Sequence, residues 1–399
     1  MNAPDRTFAG VSLEQAIARA RDLVPVLRAR AASAEAERAM PAETEADLHR
    51  TGIFRMVQPK RWGGMELDFI SLVDVPAELA RGCASTAWNV GNLAVHHWML
   101  ALYDERAQED VWGVNPDALI ASGIAFPQGR GRKADGGFVI SGHWNFSSGV
   151  DPSEWSQLAV TVRDGETVVD HRMCLLHRSQ FEIVDDWNVL GMRSTGSKSV
   201  RTKDLFVPEH RALGMYTCRG GADFPGARAN PNPTYRIPIS TLGSHCLVGA
   251  ALGNAQGALE LTCEAIEARS TSYTAARMRD FQTVQLRVGA AGSRIEAARV
   301  LSRSDCLLAQ QFAQAGRIMT VEEKLRVKRN VAYAVRLCTE AVDLLHELAG
   351  ANGIYDGYAI QRMFRDAHAL AGHFGFAFDA HGSNWGLVAL GGEYSNPVL

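Results

Sequence analysis

Two adjacent small hydroxyls, Ser147 and Ser148, sit in the stretch WNFSSGVDPSEW at 144–155, directly after the alternating run GGFVISGH at 136–143. Beside tryptophan and phenylalanine, such hydroxyls have two uses. They cap a strand end through local turns, or they face a flat ligand held against an aromatic wall. The local string leaves both open. Trp88 and Trp144 are the wall residues on the second reading and core residues on the first. His96 and His97 are neighbours in the chain. On a helix they point about 100° apart, which suits one shared metal poorly. The small residues of AGANG at 349–353, including Gly350, Asn352 and Gly353, leave backbone N–H groups open at a helix end, as anion sites do.

Other chemistries find no support in the sequence. No G-x-G-x-x-G follows a strand pattern and there is no Walker loop, which argues against a nicotinamide-binding Rossmann unit. No G-x-S-x-G elbow is present. The seven cysteines are scattered without zinc or redox spacing and read as reduced, mostly buried thiols. The twelve histidines form no metalloprotease motif, and no metal is expected. A net charge of -3 gives no reason to expect nucleic acid or an anionic membrane as partner. No apolar run reaches the roughly 18 residues of a membrane span, and the opening MNAPDRTFAG lacks the regions of a signal peptide. A cytoplasmic protein is the expectation.

These residues must be positioned by the 399-residue chain, long enough for two or three structural units. Residues 1–117 read as helical. Pro41 marks a helix start and Gly52 a helix end, and a break falls near RGCAS at 81–85. Residues 118–212 carry short alternating, β-rich runs separated by glycine and aspartate turns, predicting an antiparallel β-barrel or sandwich. Residues 213–238 form a loop or linker, whose stretch from Arg219 to Pro238 is rich in glycine, proline and asparagine and is expected to shape a pocket. Residues 239–399 return to helix. Val331, Val335, Cys338, Val342 and Leu345 recur at bundle spacing, predicting a C-terminal four-helix bundle. The helical stretch at 360–379 follows it.

This order of helical domain, β-domain and bundle resembles the acyl-CoA dehydrogenase fold. The motifs resemble one branch of it more closely, the oxygenase components of two-component flavin-dependent aromatic monooxygenases, of the 4-hydroxyphenylacetate 3-hydroxylase and secosteroid phenol hydroxylase type. The marks are QPKRWGG (58–64), CASTAWNVGNLAVHHW (83–98), ASGIAFP (121–127), WNFSSGVD (144–151), STGSKSVRTKDLFVPEHR (194–211) and QRMFRDAH (361–368). They run from about residue 42 to the C-terminus.

The resemblance implies roles. Ser148 matches a hydroxyl that contacts the flavin N5 region and slows collapse of a 4a-hydroperoxyflavin to peroxide. Trp88, Ser122 and Trp144 fall near the flavin. His96 and Ser122, with Trp88, match positions around a phenolic substrate, where a neutral imidazole suits a departing phenol proton. His368 matches a histidine near the flavin that tunes the oxygen reaction; alone it reads as a helix-end imidazole. Arg269 and the 349–353 stretch match groups at the flavin phosphate and tail, the latter from a neighbouring subunit. Arg365 and Asp366 read as a structural ion pair.

The implied activity is hydroxylation of a phenolic or other electron-rich aromatic by reduced FMN or FAD and O2. The implied partners are a separate NAD(P)H-dependent flavin reductase and, through a homotetramer, further copies of the chain. An acyl-CoA dehydrogenase-type oxidoreductase and an N- or S-oxygenase are the alternatives. The dehydrogenases often carry a catalytic carboxylate shortly after RDA. Here Phe374 stands at that place, and no carboxylate occurs between Asp366 and Asp379.

Overall fold

The computed structural model describes residues 7–271 and 274–396, so residues 1–6 of the opening segment lie outside it. Five helices come first: α1 (Leu13–Glu37), α2 (Ala42–Thr51), α3 (Ser71–Ala80), α4 (Ala84–Leu100) and α5 (Glu105–Trp112). Ser12 and Gln15 start α1 with a reciprocal capping box. Helix α2 begins after Pro41 and stops at Gly52, whose φ of 75° is the left-handed conformation a helix end favours. The break near residue 83 separates α3 from α4.

Eight strands follow: β1 (Ile120–Gly123), β2 (Gly129–Ala134), β3 (Gly137–Trp144), β4 (Trp155–Asp164), β5 (Thr167–His177), β6 (Glu182–Val184), β7 (Ser199–Pro208) and β8 (Ala212–Gly214). They form one sheet in the order β6-β7-β3-β2-β4-β5-β8, with β1 also on β4. The pairs β2–β3, β3–β7, β4–β5, β5–β8 and β6–β7 are antiparallel, as the alternating pattern predicts. The exceptions are β1 and β2, which both run parallel to β4 because they act as two halves of one interrupted strand.

The C-terminal region comprises α6 (Ile239–Leu242), α7 (His245–Ala268), α8 (Gln282–Gln314), α9 (Val321–Ala349), α10 (Ala359–Ala371) and α11 (Phe378–Ala389). The α9 stripe from Val331 to Leu345 is buried throughout. One apolar core runs from the N-terminal helices into this bundle, and a second fills the sheet. Helix α7 lies close against α3 and α4. A Cβ at Gly253 would stand 2.0 Å from the Ala77 carbonyl oxygen, and one at Gly91 1.9 Å from that of Cys246. Larger residues there would push the helices apart.

Two local expectations differ from the structure. The helical stretch at 360–379 is broken after Ala371, and a 3-10 turn at Phe374–Phe376 precedes α11. Gly375 sits so close to Ser244 that a Cβ would fall 2.1 Å from its Oγ, and the His373 ring accepts from the Gly375 N–H. The predicted loop at 213–238 begins inside β8, and its 219–238 stretch is pinned to the N-terminal helices. Trp98 Nε1 donates to the Thr234 carbonyl at 2.8 Å, Tyr235 OH to that of Val57 at 3.1 Å and Asn230 Nδ2 to that of Ala101 at 2.8 Å. These bonds hold it away from the cavity described next.

Candidate active site

A cavity of about 520 Å³ opens between the β-domain and the bundle. Trp88 and Asn92 enter from α4, one turn apart on the same face. Ser122 enters from β1, and Phe146 and Ser148 from the segment after β3. The chain at 187–197 forms the opposite side, and Leu370, His373 and Phe374 close it at the end of α10. No lining residue among those described is Asp, Glu, Lys or Arg.

The backbone is held in uncommon conformations here. Phe146 and Met192, both in the wall, have φ of 65° and 55°. Left-handed bulky residues cost on the order of 1–3 kcal/mol each and persist only where the surroundings fix them. Ser147 N donates to the Lys198 carbonyl and Gly149 N to that of Thr195, both at 3.0 Å. Met192 N donates to Asp366 Oδ1 at 2.6 Å. Arg365 bonds Glu35 and the Leu190 carbonyl. Arg365 and Asp366 are therefore not an ion pair with each other. Each ties the 190–192 segment to α10. Burial pushes the Asp366 carboxyl up to about 6.

Ser148 faces the cavity. Its Oγ accepts from Trp88 Nε1 at 3.1 Å and lies 2.7 Å from Ser197 Oγ. Ser147 is buried and absent from the wall. Trp144 is also absent from the wall. It fills the core of the sheet, with Nε1 donating to the Ala159 carbonyl at 2.7 Å.

His96 lies two turns beyond Trp88 on the same helical face. Its Nδ1 is 2.6 Å from the carbonyl of Ile120, two residues before Ser122. A carbonyl only accepts, so Nδ1 carries the proton and Nε2 keeps its lone pair. Burial lowers the pKa to about 4, which leaves the ring neutral at neutral pH. Among the described residues Nε2 has no hydrogen-bond partner in the chain. His97 is structural: its ring stacks on Trp112 and Nδ1 accepts from Trp112 Nε1 at 3.0 Å.

His96 is buried behind the cavity wall and is not one of its lining residues, and the structure does not bring the remaining residues to the cavity either. His368 is on the outer side of α10, bonded to Asp343 at 2.9 Å and packed on Phe364. The imidazole in the wall is His373, edge-on to Trp88 with centroids 5.5 Å apart. Burial lowers it to about 4. The sequence reading missed it. The available signal was Gly372 immediately before it, a residue type that commonly ends helices. Arg269 caps the end of α9 by donating to the carbonyls of Leu348 and Ala349 at 3.2 Å each, and so lies against Gly350. Together with Asn352 and Gly353 it forms a second location, away from the cavity wall.

Residues 14–113 match the acyl-CoA dehydrogenase N-terminal domain and residues 245–378 the acyl-CoA dehydrogenase C-terminal domain. The chain is 36% identical over 352 residues to the flavin-dependent monooxygenase oxygenase subunit HsaA of Rhodococcus jostii strain RHA1, covering 87% of this chain and 91% of that protein. It belongs to the flavin-dependent monooxygenase oxygenase-component family. A second member of the family, the FADH2-dependent resorcinol hydroxylase oxygenase component of Rhizobium sp. strain MTP-10005, is 34% identical over 388 residues, 94% of each protein. The crystal structure of 3-HSA hydroxylase from Rhodococcus sp. RHA1 superposes with a TM-score of 0.92 at 32% identity, covering 96% of this chain and 98% of that one.

The cavity fits the flavin this family uses. A flat, largely apolar ring system with polar edges needs apolar faces and a few neutral hydrogen-bonding groups. The wall provides both, in Trp88, Phe146 and Leu370 on one hand and Ser148, Asn92 and Gln128 on the other.

Proposed function

We propose that this chain is the oxygenase component of a two-component system that hydroxylates a phenolic or other electron-rich aromatic compound. The observation that carries the reading is a cavity free of charged side chains, with the Ser148 and Ser122 hydroxyls in its wall; the neutral His96 imidazole is bonded to Ile120 on the strand that carries Ser122. Reduced FMN or FAD bound there supplies the electrons that, with O2, place one oxygen atom on the substrate and release the other as water.

The residues contribute binding, orientation and proton handling. Trp88 and Phe146, both in the wall, would flank flat rings. Ser148 would meet the flavin at its N5 edge. His96 Nε2 accepts the phenol proton, and Ser122 steadies the phenolic oxygen. A phenol is a stronger carbon nucleophile as that proton leaves. The apolar wall keeps water from the reacting groups. His373, in the wall, would take the place beside the flavin that the resemblance implies for His368. A dehydrogenase would need a carboxylate at the substrate, and Phe374 occupies the expected place.

A separate NAD(P)H-dependent reductase supplies the reduced flavin. Further copies of the chain form a homotetramer. Leu286, Val300 and Leu307 recur at multiples of seven on α8 and remain exposed, an apolar stripe a second copy would cover. The Arg269 and Gly350–Gly353 cluster then serves the flavin tail of a neighbouring copy. A cytoplasmic location accords with a reductase partner. No described helix is long and apolar enough to cross a membrane.

The test is anaerobic titration with reduced FMN and reduced FAD, followed by O2 and a panel of phenols and indoles. Saturable binding and a hydroxylated product are expected. Failure to bind either reduced flavin would refute the reading.

A further inference from the structure

Behind Ser148 stands a chain of hydroxyls whose direction is forced. Thr195 Oγ1 lies 2.9 Å from the Met192 carbonyl oxygen and 2.7 Å from Ser197 Oγ. Ser197 Oγ in turn lies 2.7 Å from Ser148 Oγ. A carbonyl oxygen only accepts, so Thr195 spends its single hydroxyl hydrogen on Met192. Ser197 must then donate to Thr195, which consumes its own hydrogen. Ser148 must donate to Ser197. At the other end, Trp88 Nε1 carries a hydrogen and only donates, so it occupies one lone pair of Ser148 Oγ at 3.1 Å.

One group is left on Ser148, a single lone pair. Ser148, Ser197 and Thr195 are all buried and all in the cavity wall, so exchange with bulk water does not easily reset this order. The anchor is itself fixed, because Met192 is held in its left-handed conformation by Asp366.

We propose that the Trp88–Ser148–Ser197–Thr195 chain sets Ser148 as a hydrogen-bond acceptor toward the cavity and thereby selects reduced over oxidised flavin. The inference rests on the reading above, in which Ser148 meets flavin N5. Reduced flavin carries a hydrogen on N5 and matches the lone pair. Oxidised flavin presents a lone pair there. It either opposes that of Ser148 or forces Ser148 to give up Ser197, which unravels the chain. Thr195 and Ser197 are positioning residues on this account. The advantage to a protein that receives its flavin from elsewhere is that spent flavin leaves and does not block the site.

The discrimination is set by about one neutral hydrogen bond, on the order of five- to tenfold in Kd. Thr195→Val keeps the shape and removes the hydroxyl. Ser197 is then free to donate to Ser148, and Ser148 to N5. Ser197→Ala frees the Ser148 hydrogen directly. Thr195→Ser restores the donor and serves as the rescue. The experiment measures Kd for oxidised flavin by fluorescence titration and for reduced flavin by anaerobic titration, in wild type and the three variants, with folding checked by circular dichroism. The ratio of oxidised to reduced Kd should fall about five- to tenfold in Thr195→Val and Ser197→Ala and stay near wild type in Thr195→Ser. Equal weakening of both redox states, with the ratio unchanged, would overturn the proposal and leave a packing role. Wild type that binds neither redox state would instead overturn the reading on which it rests.

Discussion

The buried histidines make the fold sensitive to mild acid, and the size of the effect follows from their surroundings. Burial lowers His96 to about 4 and His97 to about 3 from an ordinary 6.5. In the unfolded chain both rings take up protons below pH 6.5. In the folded protein neither does until the pH reaches its lowered value. Stability is therefore lost as pH falls from about 6.5 toward 4. At pH 5 each ring costs about 2 kcal/mol, at about 1.4 kcal/mol per pH unit. Asp366 acts in the opposite sense. Burial raises it from 3.8 to about 6, so it protonates first in the folded protein and returns about 1.4 kcal/mol at pH 5. The net loss between pH 7.5 and pH 5 is about 3 kcal/mol, a large part of the roughly 5–15 kcal/mol that holds a domain together. His373, which burial also lowers to about 4, adds to the loss in the same sense. Urea unfolding followed by tryptophan fluorescence at the two pH values measures the difference. In His96→Asn the side-chain amide N–H replaces Nδ1 as donor to the Ile120 carbonyl and does not titrate, so the loss should shrink by about 2 kcal/mol. Equal stability at both pH values, or a His96→Asn variant as acid-sensitive as wild type, would refute the assignment of a neutral buried imidazole.

Other variants separate the roles at the cavity. Ser148→Ala should keep the fold, at about 1–2 kcal/mol for the partners left to Trp88 and Ser197, and should raise H2O2 released per flavin oxidised, read by a peroxidase-coupled assay. His96→Ala should lower product formation more than reduced-flavin affinity, which a titration and product chromatography separate. His373→Gln should change the pH dependence of flavin reoxidation by O2 in stopped-flow traces, and His368→Ala should leave it as in wild type. Asp366→Ala strips the Met192 N–H of its acceptor and should weaken flavin binding more than it lowers the melting temperature.

Much of the architecture is legible in the sequence because it is set by local signals. Pro41 and Gly52 bracket α2, the 331–345 stripe defines the buried face of α9, and the alternating runs give the sheet. Ser148 and Ser122 were found through motifs that the structure brings to one wall. What escaped depends on contacts between distant segments. Trp144 reads as a wall from its neighbours, yet its ring turns into the sheet core because Ala159 offers the indole an acceptor there. His373 enters the cavity only because the chain breaks at Gly372 and is folded back against Ser244. The loop at 219–238 has the composition of a pocket-shaping segment, but Trp98 and the Val57 carbonyl anchor it elsewhere. The direction of the hydroxyl chain behind Ser148 requires Met192 and Ser148 to meet across more than forty residues, which no local pattern encodes.

The most direct test of the account is a single turnover with heavy-isotope O2. Protein loaded anaerobically with reduced flavin and an electron-rich phenol is mixed with the labelled gas, and the product is analysed by mass spectrometry. The account predicts a hydroxylated product carrying one labelled oxygen atom. Flavin reoxidation that yields only labelled H2O2 across the whole substrate panel, or a product whose new oxygen comes from water, would contradict it.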